Sequence, residues 1–112
     1  MAIPSGSGTE VLKRVTAHNN NGIVEILSGT ANHIYTILSI IIMDANGLGS
    51  SINIAVNDGS NDIHLLGTQS VDLTETFVWN EKFVMEGDDD LDIYSSNSGM
   101  DFYISYIDQD WT

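Results

Sequence analysis

The longest apolar run of the sequence, Ile34–Met43, most constrains how this chain can fold. It reads Ile-Tyr-Thr-Ile-Leu-Ser-Ile-Ile-Ile-Met and is rich in β-branched and aromatic side chains, which fit the pleated surface of a sheet. A buried helix is the alternative, but the turn residues Asp44–Gly47 that follow the run favour a strand. The run is too short to cross a bilayer, because a membrane span needs about 20 apolar residues.

Both faces of this predicted strand are apolar. In a regular alternation, Ile37 and Ile41 lie on one face, and the opposite face carries Leu38, Ile40 and Ile42. A strand that is apolar on both faces has to be covered on both. We therefore expect one face to lie in the core and a neighbouring subunit to cover the other.

Turn residues recur along the whole chain, about every eight to twelve positions, as they do in antiparallel sandwiches. No segment shows a sustained helical period. The strand-like segments are Glu10–His18, Ile23–Leu27, Ile34–Met43, Ser51–Asn57, Ile63–Leu66, Phe77–Trp79, Phe83–Met85, Leu91–Ser95 and Asp101–Ile107. We interpret them as roughly eight strands of an all-β, compact antiparallel β-sandwich that resembles a jelly roll. We expect Ser51–Asn57 to form a hairpin with the central run, and Val71–Leu73 to be a connecting segment.

The length of 112 residues predicts one domain. Residues 1–9 are mainly small residues with one proline, so we expect a flexible arm there and a single sandwich domain over 10–112. The arm has neither the basic nor the apolar region of a secretory signal, which predicts a protein that is made and used without export. Since there is no cysteine, disulfides and thiolate metal sites are excluded.

The net charge of −13 is distributed unevenly. Residues 1–56 carry 3 acids and 2 bases, whereas residues 57–112 carry 13 acids and the single base Lys82. Such a field repels phosphate backbones and anionic membrane surfaces, so we expect neither nucleic acid nor a membrane as a partner. The one basic pair, Lys13 and Arg14, follows the arm.

The sequence contains no motif for catalysis. There is no nucleophile elbow, no phosphate-binding loop and no dinucleotide fingerprint, so we expect no enzymatic activity and no cofactor. His18, His33 and His64 lack metal-ligand spacing, and we interpret them as surface or strand-edge residues, although folding could still assemble a zinc site. The acidic turns Asp58–Asp62 and Asp88–Asp92 do not match a calcium-binding loop, and we interpret them as solvated turns.

Several aromatic side chains could line a sugar-binding face, but core packing is their commoner use. They are Tyr35, Trp79, Tyr94, Tyr103, Tyr106 and Trp111. Trp111 stands apart, because it follows a polar stretch next to the end of the sequence, where burial in its own domain is hard to arrange. An exposed aromatic at a terminus is a good anchor on a partner surface, so Trp111 is a candidate contact residue.

The order of the motifs resembles that of small β-sandwich virion proteins of tailed bacteriophages. The resemblance covers about residues 34–108 and rests on Ile34–Thr36, Ile52–Val56, Phe77–Asn80, Phe83–Asp89, Leu91–Tyr94 and Ile104–Ile107, in that order. The opening, Ala2–Arg14, resembles the start of structural proteins in phages of marine bacteria. One departure is Gly29–His33, which stands where such proteins often have Val-Pro-Ala-Gly.

The resemblance implies a non-enzymatic virion protein that is assembled in the host cytoplasm. A capsid decoration (cement) protein is the first expectation: a trimer that binds the major capsid protein on the outer head surface and reinforces it. The alternatives are a neck, tail or fibre-associated adaptor, or a carbohydrate-binding sandwich. The residues expected to contact a partner are Ile3, Pro4, Lys13, Arg14 and Trp111.

Overall fold

The computed structural model describes residues 9–19, 22–45, 47–97 and 99–111, and every regular element in them is a β-strand. The strands are β1 (Thr9–Asn19), β2 (Gly22–Ser28), β3 (His33–Asp44), β4 (Ser50–Asn57), β5 (Asp62–Val71), β6 (Thr76–Trp79), β7 (Phe83–Glu86), β8 (Asp90–Ser95) and β9 (Met100–Asp110). The predicted all-β class is confirmed. No helix in these ranges is long and apolar enough to cross a membrane.

The strands form two antiparallel sheets with nested pairing. The five-stranded sheet has the order β1-β9-β3-β6, with β7 also beside β3, and the four-stranded sheet has the order β2-β8-β4-β5. Thus β1 pairs with β9, β2 with β8, β3 with β6 and β7, and β4 with β5. This is the wrapped arrangement of a jelly roll, in which the two short strands share one position, and the predicted architecture is confirmed.

The core lies between the two sheets. Its fully buried side chains come from alternate positions of the central strands, as the period of a strand requires. They are Ile37, Ile40, Ile42, Ile52, Ile54, Val71, Met85, Leu91, Ile93, Met100, Phe102 and Ile104. Each large aliphatic side chain buried in this way contributes about 1.5–3 kcal/mol, so the interleaved strands hold the sandwich together.

A β-bulge in β3 changes the predicted arrangement of the central run. The register of β3 with β9 shifts by one residue after Ile37, so Leu38 is an extra residue on β3. The bulge brings Ile37, Ile40 and Ile42 to the inner face, where their exposure is 0%. The prediction that Ile37 shares a face with Ile41 is therefore wrong, because that prediction assumed an unbroken alternation. The run is nevertheless apolar on both faces.

The expected hairpin between β3 and β4 is also wrong, because these strands lie in different sheets. The chain crosses over at Asp44, a fully buried residue whose carboxylate accepts hydrogen bonds from the backbone N–H groups of Gly47, Gly49 and Thr74. Gly47 and Gly49 adopt φ angles of 69° and 73°, which glycine accepts without strain. Asp44 therefore shapes an arch and ties it to the β5–β6 connection.

Most strands are longer than predicted, and in two places the difference changes the assignment of a residue. Val71, expected in a connecting segment, ends β5 and is 1% exposed, because the strand runs on past Leu66 through an irregular stretch. At the other end of the chain, β1 begins at Thr9, which was assigned to the arm. The remainder of the arm, residues 1–8, lies outside the described residues.

Candidate interaction surface

Apolar side chains are grouped among polar ones on the outer face of the five-stranded sheet. We call this outer face the apolar face; its apolar members are Leu12, Leu38, Ile41, Met43, Val78, Val84, Tyr103 and Ile107. Leu12 is 73% exposed, Val84 52% and Tyr103 43%. Monomeric soluble proteins rarely expose contiguous apolar patches beyond a few hundred Å². A surface of this kind is suited to contact with another protein, as expected for the second face of the central run.

Two shallow grooves run along the apolar face. One, of about 550 Å³, lies between β1 and β3 and is lined by His18, Ile41, Met43, Asp101 and Tyr103, among others. The second, of about 420 Å³, is lined by Leu12, Lys13, Arg14, Leu38, Tyr103 and Ser105. The Tyr103 ring borders both grooves, so this side chain lies at the centre of the face.

Arg14 lies on the apolar face. Its guanidinium carbon is 5.9 Å from the centroid of the Tyr103 ring, within the range of a cation–π interaction. Next to this pair, His18 Nδ1 contacts a carboxylate oxygen of Asp101. The apolar face therefore carries a small number of charges, which can orient a partner without making the surface hydrophilic.

Lys13 points to the inner side of β1, where it pairs with a carboxylate. Its Nζ lies 2.8 Å from Asp108 Oδ2, and His33 Nδ1 lies 2.8 Å from Asp108 Oδ1. The hydrogen bond to Asp108 raises the pKa of Lys13 above its usual value. Burial raises the pKa of Asp108, but the hydrogen bonds from Lys13 and His33 outweigh burial and hold that pKa below its usual value. Lys13 thus clamps β1 to β9.

Trp111 is half-buried, whereas we expected its terminal position to leave it uncovered. Its backbone N–H donates a 2.9 Å hydrogen bond to the carbonyl of Asn32, which extends the pairing of β9 beside the start of β3. The indole Nε1 is buried and has no hydrogen-bond partner in the structure. The other two predicted contact residues, Ile3 and Pro4, lie outside the described residues.

The outer face of the four-stranded sheet is polar and negatively charged. We call it the acidic face; it comprises Glu25, Asn53, Asp62, His64, Asp90, Asp92 and Tyr94. A shallow pocket of about 200 Å³ lies there between Asn53, Ala55, Asp62, His64, Asp92 and Tyr94. Partial burial, and then the neighbouring charges of Asp62, Glu25 and Asp90, raise the pKa of Asp92. This face favours water or a polar ligand.

The two acidic turns meet in space, which their separation in the sequence did not show. Asp58 of one turn lines a polar pocket of about 360 Å³ together with Glu86, Asp88 and Asp89. Asp58 Oδ1 accepts the N–H groups of the next turn residues, which lowers the pKa of Asp58, and Asp89 Oδ2 accepts the N–H of Glu86. Among the described residues, no group of three or more ligating side chains is placed to hold a metal ion.

The aromatic side chains do not form one sugar-binding face. Tyr35 and Tyr106 are buried with their rings 5.8 Å apart, and Trp79 packs against the core while its Nε1 donates to the carbonyl of Glu81. The exposed tyrosines, Tyr94 and Tyr103, lie on opposite faces of the sandwich. The sequence could not show this division, because it depends on which sheet each strand joins.

Solved structures with the same fold include virus particles and a bacterial appendage. No family model and no curated protein matches the sequence. A chain of the acidic stable capsid structure of Helicobacter pylori bacteriophage KHP30 matches with a TM-score of 0.59 and 8% identity, over 93% of this chain and 90% of that one. A chain of the T13 particle of the virus IBDV matches with a TM-score of 0.57 and 11% identity, over 97% of this chain and 33% of that one.

A third similar structure comes from Bacillus endospore appendages, described as disulfide-linked pili. The TM-score is 0.52 and the identity 18%, over 100% of this chain and 97% of that one. At such identities the similarities show a shared fold. The present chain has no cysteine, so a disulfide link of the kind named for the pili is not available to it.

Proposed function

We propose that this chain is a structural protein of a bacteriophage virion and that it decorates the outer surface of the head. In this role the apolar face lies against the major capsid protein, and the acidic face remains in water. The observation that carries the proposal is the difference between the two outer faces, because a sandwich with one uncovered apolar face is suited to attachment.

The fold similarity supports the same role. The matching chain in the phage capsid structure is close to this chain in length, since the match covers 93% of one and 90% of the other. A single small sandwich can therefore be a separate part of a capsid structure. The motif order of the sequence points to the same class of proteins, the small virion proteins of tailed phages.

The physical properties of the two faces fit this orientation. Burying about 800 Å² on each partner is usual for a specific protein interface, and a few central side chains, often aromatic residues or arginine, supply most of its stability. The carboxylates of the acidic face would be repelled by any other acidic surface if this face were buried in an interface. They belong to Glu25, Asp62, Asp90 and Asp92. An outward acidic face also keeps assembled particles from associating with one another.

The direct test is rebinding to particles that were assembled without this chain. The purified protein is mixed with such particles, the particles are sedimented, and the bound chain is quantified. We expect saturable binding to heads and none to isolated tails. If the protein bound only to tails or necks, the result would contradict head decoration and support the neck, tail or fibre-associated adaptor function.

The same assay tests the predicted contact residues of the arm. Deletion of residues 1–8 leaves β1 intact, since β1 begins at Thr9, so we expect an unchanged urea midpoint and weaker binding to heads. A second variant replaces the predicted contact residues Ile3 and Pro4 by serine in the full-length chain, and we expect it to bind heads more weakly too. If both variants bind as well as the wild type, the arm has no part in attachment.

The pocket on the acidic face favours a second candidate function, the binding of a carbohydrate. It combines the exposed ring of Tyr94 with the carboxylates of Asp62 and Asp92 and the amide of Asn53. An aromatic face and polar groups on one open surface suit a sugar. Glycan-array binding that is lost in Tyr94→Ala, but kept in Tyr103→Ala, would support this function.

A further inference from the structure

The free edges of the two sheets differ in how they are protected against pairing with another chain. An exposed edge strand offers unpaired N–H and C=O groups, and proteins usually protect it by shortness or irregularity. β6 and β7 have only 4 residues each. β2 has a register shift after Glu25, and β5 has two shifts and a positive φ of 50° at Thr68. These edges are therefore poor templates for a further strand.

β1 is neither short nor irregular, and its one inward-pointing charge, Lys13, is neutralised by Asp108 of the same sheet. It is 11 residues long, and its register with β9 is unbroken from Thr9 to Asn19. Within the described residues its outer edge pairs with no strand of either sheet. Val11 faces the inner side of the sandwich but is still 45% exposed, and Leu12 on the outer side is 73% exposed. The first half of β1 is thus open on both faces and along its edge.

We propose that β1 pairs in antiparallel orientation with β1 of a second copy of this chain, with the two-fold axis at Leu12. Directly opposed residues of an antiparallel pair point to the same face of the sheet. Pairing centred on Leu12 therefore sets Glu10 opposite Arg14 of the second copy, and by symmetry this contact occurs twice. The two Leu12 side chains meet at the axis.

Charge complementarity selects this register. If the axis passed through Lys13 or Arg14, two identical cations would lie directly opposite each other, which destabilises a strand pair. With Leu12 at the axis, the negative charge of Glu10 in one copy faces the positive charge of Arg14 in the other. Both side chains are already held in place within each copy, because Gln109 Nε2 donates a 2.7 Å hydrogen bond to Glu10 Oε1 and Arg14 lies over the ring of Tyr103.

The dimer has a geometric consequence for the apolar face. Because the two β1 strands pair within one sheet, the five-stranded sheets of the two copies become continuous, and their apolar faces lie on the same side. The inference itself does not depend on the virion role. It predicts an even-numbered assembly in place of the trimer that the resemblance implies.

The test is the mass in solution, measured by light scattering after size exclusion. We expect twice the single-chain mass of 12.2 kDa for the wild type. Glu10→Lys or Arg14→Glu alone places like charges opposite each other, so we expect a dissociation constant raised by at least about tenfold. Glu25→Lys makes the same charge change on the acidic face, and this control is expected to remain a dimer.

Mixing the two single variants gives the sharpest result. A Glu10→Lys chain and an Arg14→Glu chain are complementary at both contacts, so the mixture should form dimers that neither variant forms alone. Circular dichroism spectra of the two variants that match the wild type show that each chain is folded. A monomeric or trimeric wild type, or a mixture that does not dimerise, overturns the proposal.

Discussion

The outer face of the five-stranded sheet presents Leu12, Ile41 and Tyr103, whereas the outer face of the four-stranded sheet presents Asp62, Asp92 and Tyr94. Both faces arise from the same alternation of strands whose other sides fill one shared core. The packing of the core therefore does not determine which residue types occupy the outward-facing positions of either sheet. The difference between the outer faces is what the proposed function explains, since it places one face against a partner and leaves the other in water.

The largest expected effect concerns the arch that places β3 and β4 in different sheets. Asp44→Ala leaves the N–H groups of Gly47, Gly49 and Thr74 without the buried carboxylate that they bind. We expect the free energy of unfolding to fall by about 3 kcal/mol or more, measured by urea denaturation.

Asp58→Ala is the matched control for the arch. The Asp58 carboxylate also accepts two backbone hydrogen bonds, but it does so in an exposed turn, where water can replace it. We expect the free energy of unfolding to fall much less than in Asp44→Ala. Similar losses for the two variants would mean that the buried arch does not hold the two sheets in their arrangement.

The next effect compares the two faces directly with a matched pair of tyrosines. Tyr103 is 43% exposed on the apolar face, and Tyr94 is 41% exposed on the acidic face. We expect Tyr103→Ser to weaken binding to heads about tenfold or more and Tyr94→Ser to leave it unchanged, because central aromatics dominate interfaces. The reverse order in the sedimentation assay would assign attachment to the acidic face.

A smaller effect depends on pH through the Lys13–Asp108 clamp. The folded-state pKa of Asp108 is lowered, so its contribution is complete above the unfolded value of 3.8 and is lost as the pH falls through the folded value. We expect Lys13→Met to cost about 1 kcal/mol at neutral pH, because the Lys13 side chain is 44% exposed, so that water screens the ion pair, and because Asp108 keeps its hydrogen bond with His33. Urea midpoints measured from pH 2 to 7 should show the gap between variant and wild type closing in acid. A gap that persists unchanged at pH 2 would argue against the ion pair as its cause.

The smallest effect has the opposite sign and lies on the acidic face. The pKa of Asp92 is raised by partial burial and neighbouring carboxylates, so its negative charge costs stability above the folded-state pKa and this cost disappears as the pH falls. We expect Asp92→Asn to stabilise the protein by a few tenths of a kcal/mol at neutral pH. Thermal unfolding of the variant and the wild type at pH 7 and at pH 4 measures the stability difference and its decrease in acid. A variant that is less stable at pH 7 would mean that the ionised carboxylate is needed there.

Much of the fold could be predicted from the sequence because strand periodicity and turn residues are local signals. Ile34–Met43 is a central strand, and its two apolar faces led to an expected partner surface before the sheets were known. The bulge at Leu38 could not be predicted, since it depends on the register with β9. Asp44–Gly49 has the composition of a hairpin turn, but the contact of Asp44 with Thr74, 30 positions away, makes it an arch.

The candidate surface was predicted only in part, for the same reason. Arg14 lies on the apolar face, but Lys13 turns inward to Asp108, which is 95 positions away in the sequence. The acidic turns at Asp58 and Asp88 share one pocket that no local pattern indicates. Long-range pairing decides which side chains become neighbours, and a single sequence does not specify it.

The most direct measurement of the central claim is a cryo-electron microscopy map of the virion in which this chain is identified. The account predicts that the chain sits on the outside of the head, with Ile41 and Tyr103 of the apolar face against another protein and Asp92 of the acidic face towards solvent. A map in which the acidic face contacts the shell and the apolar face lies in water would contradict it.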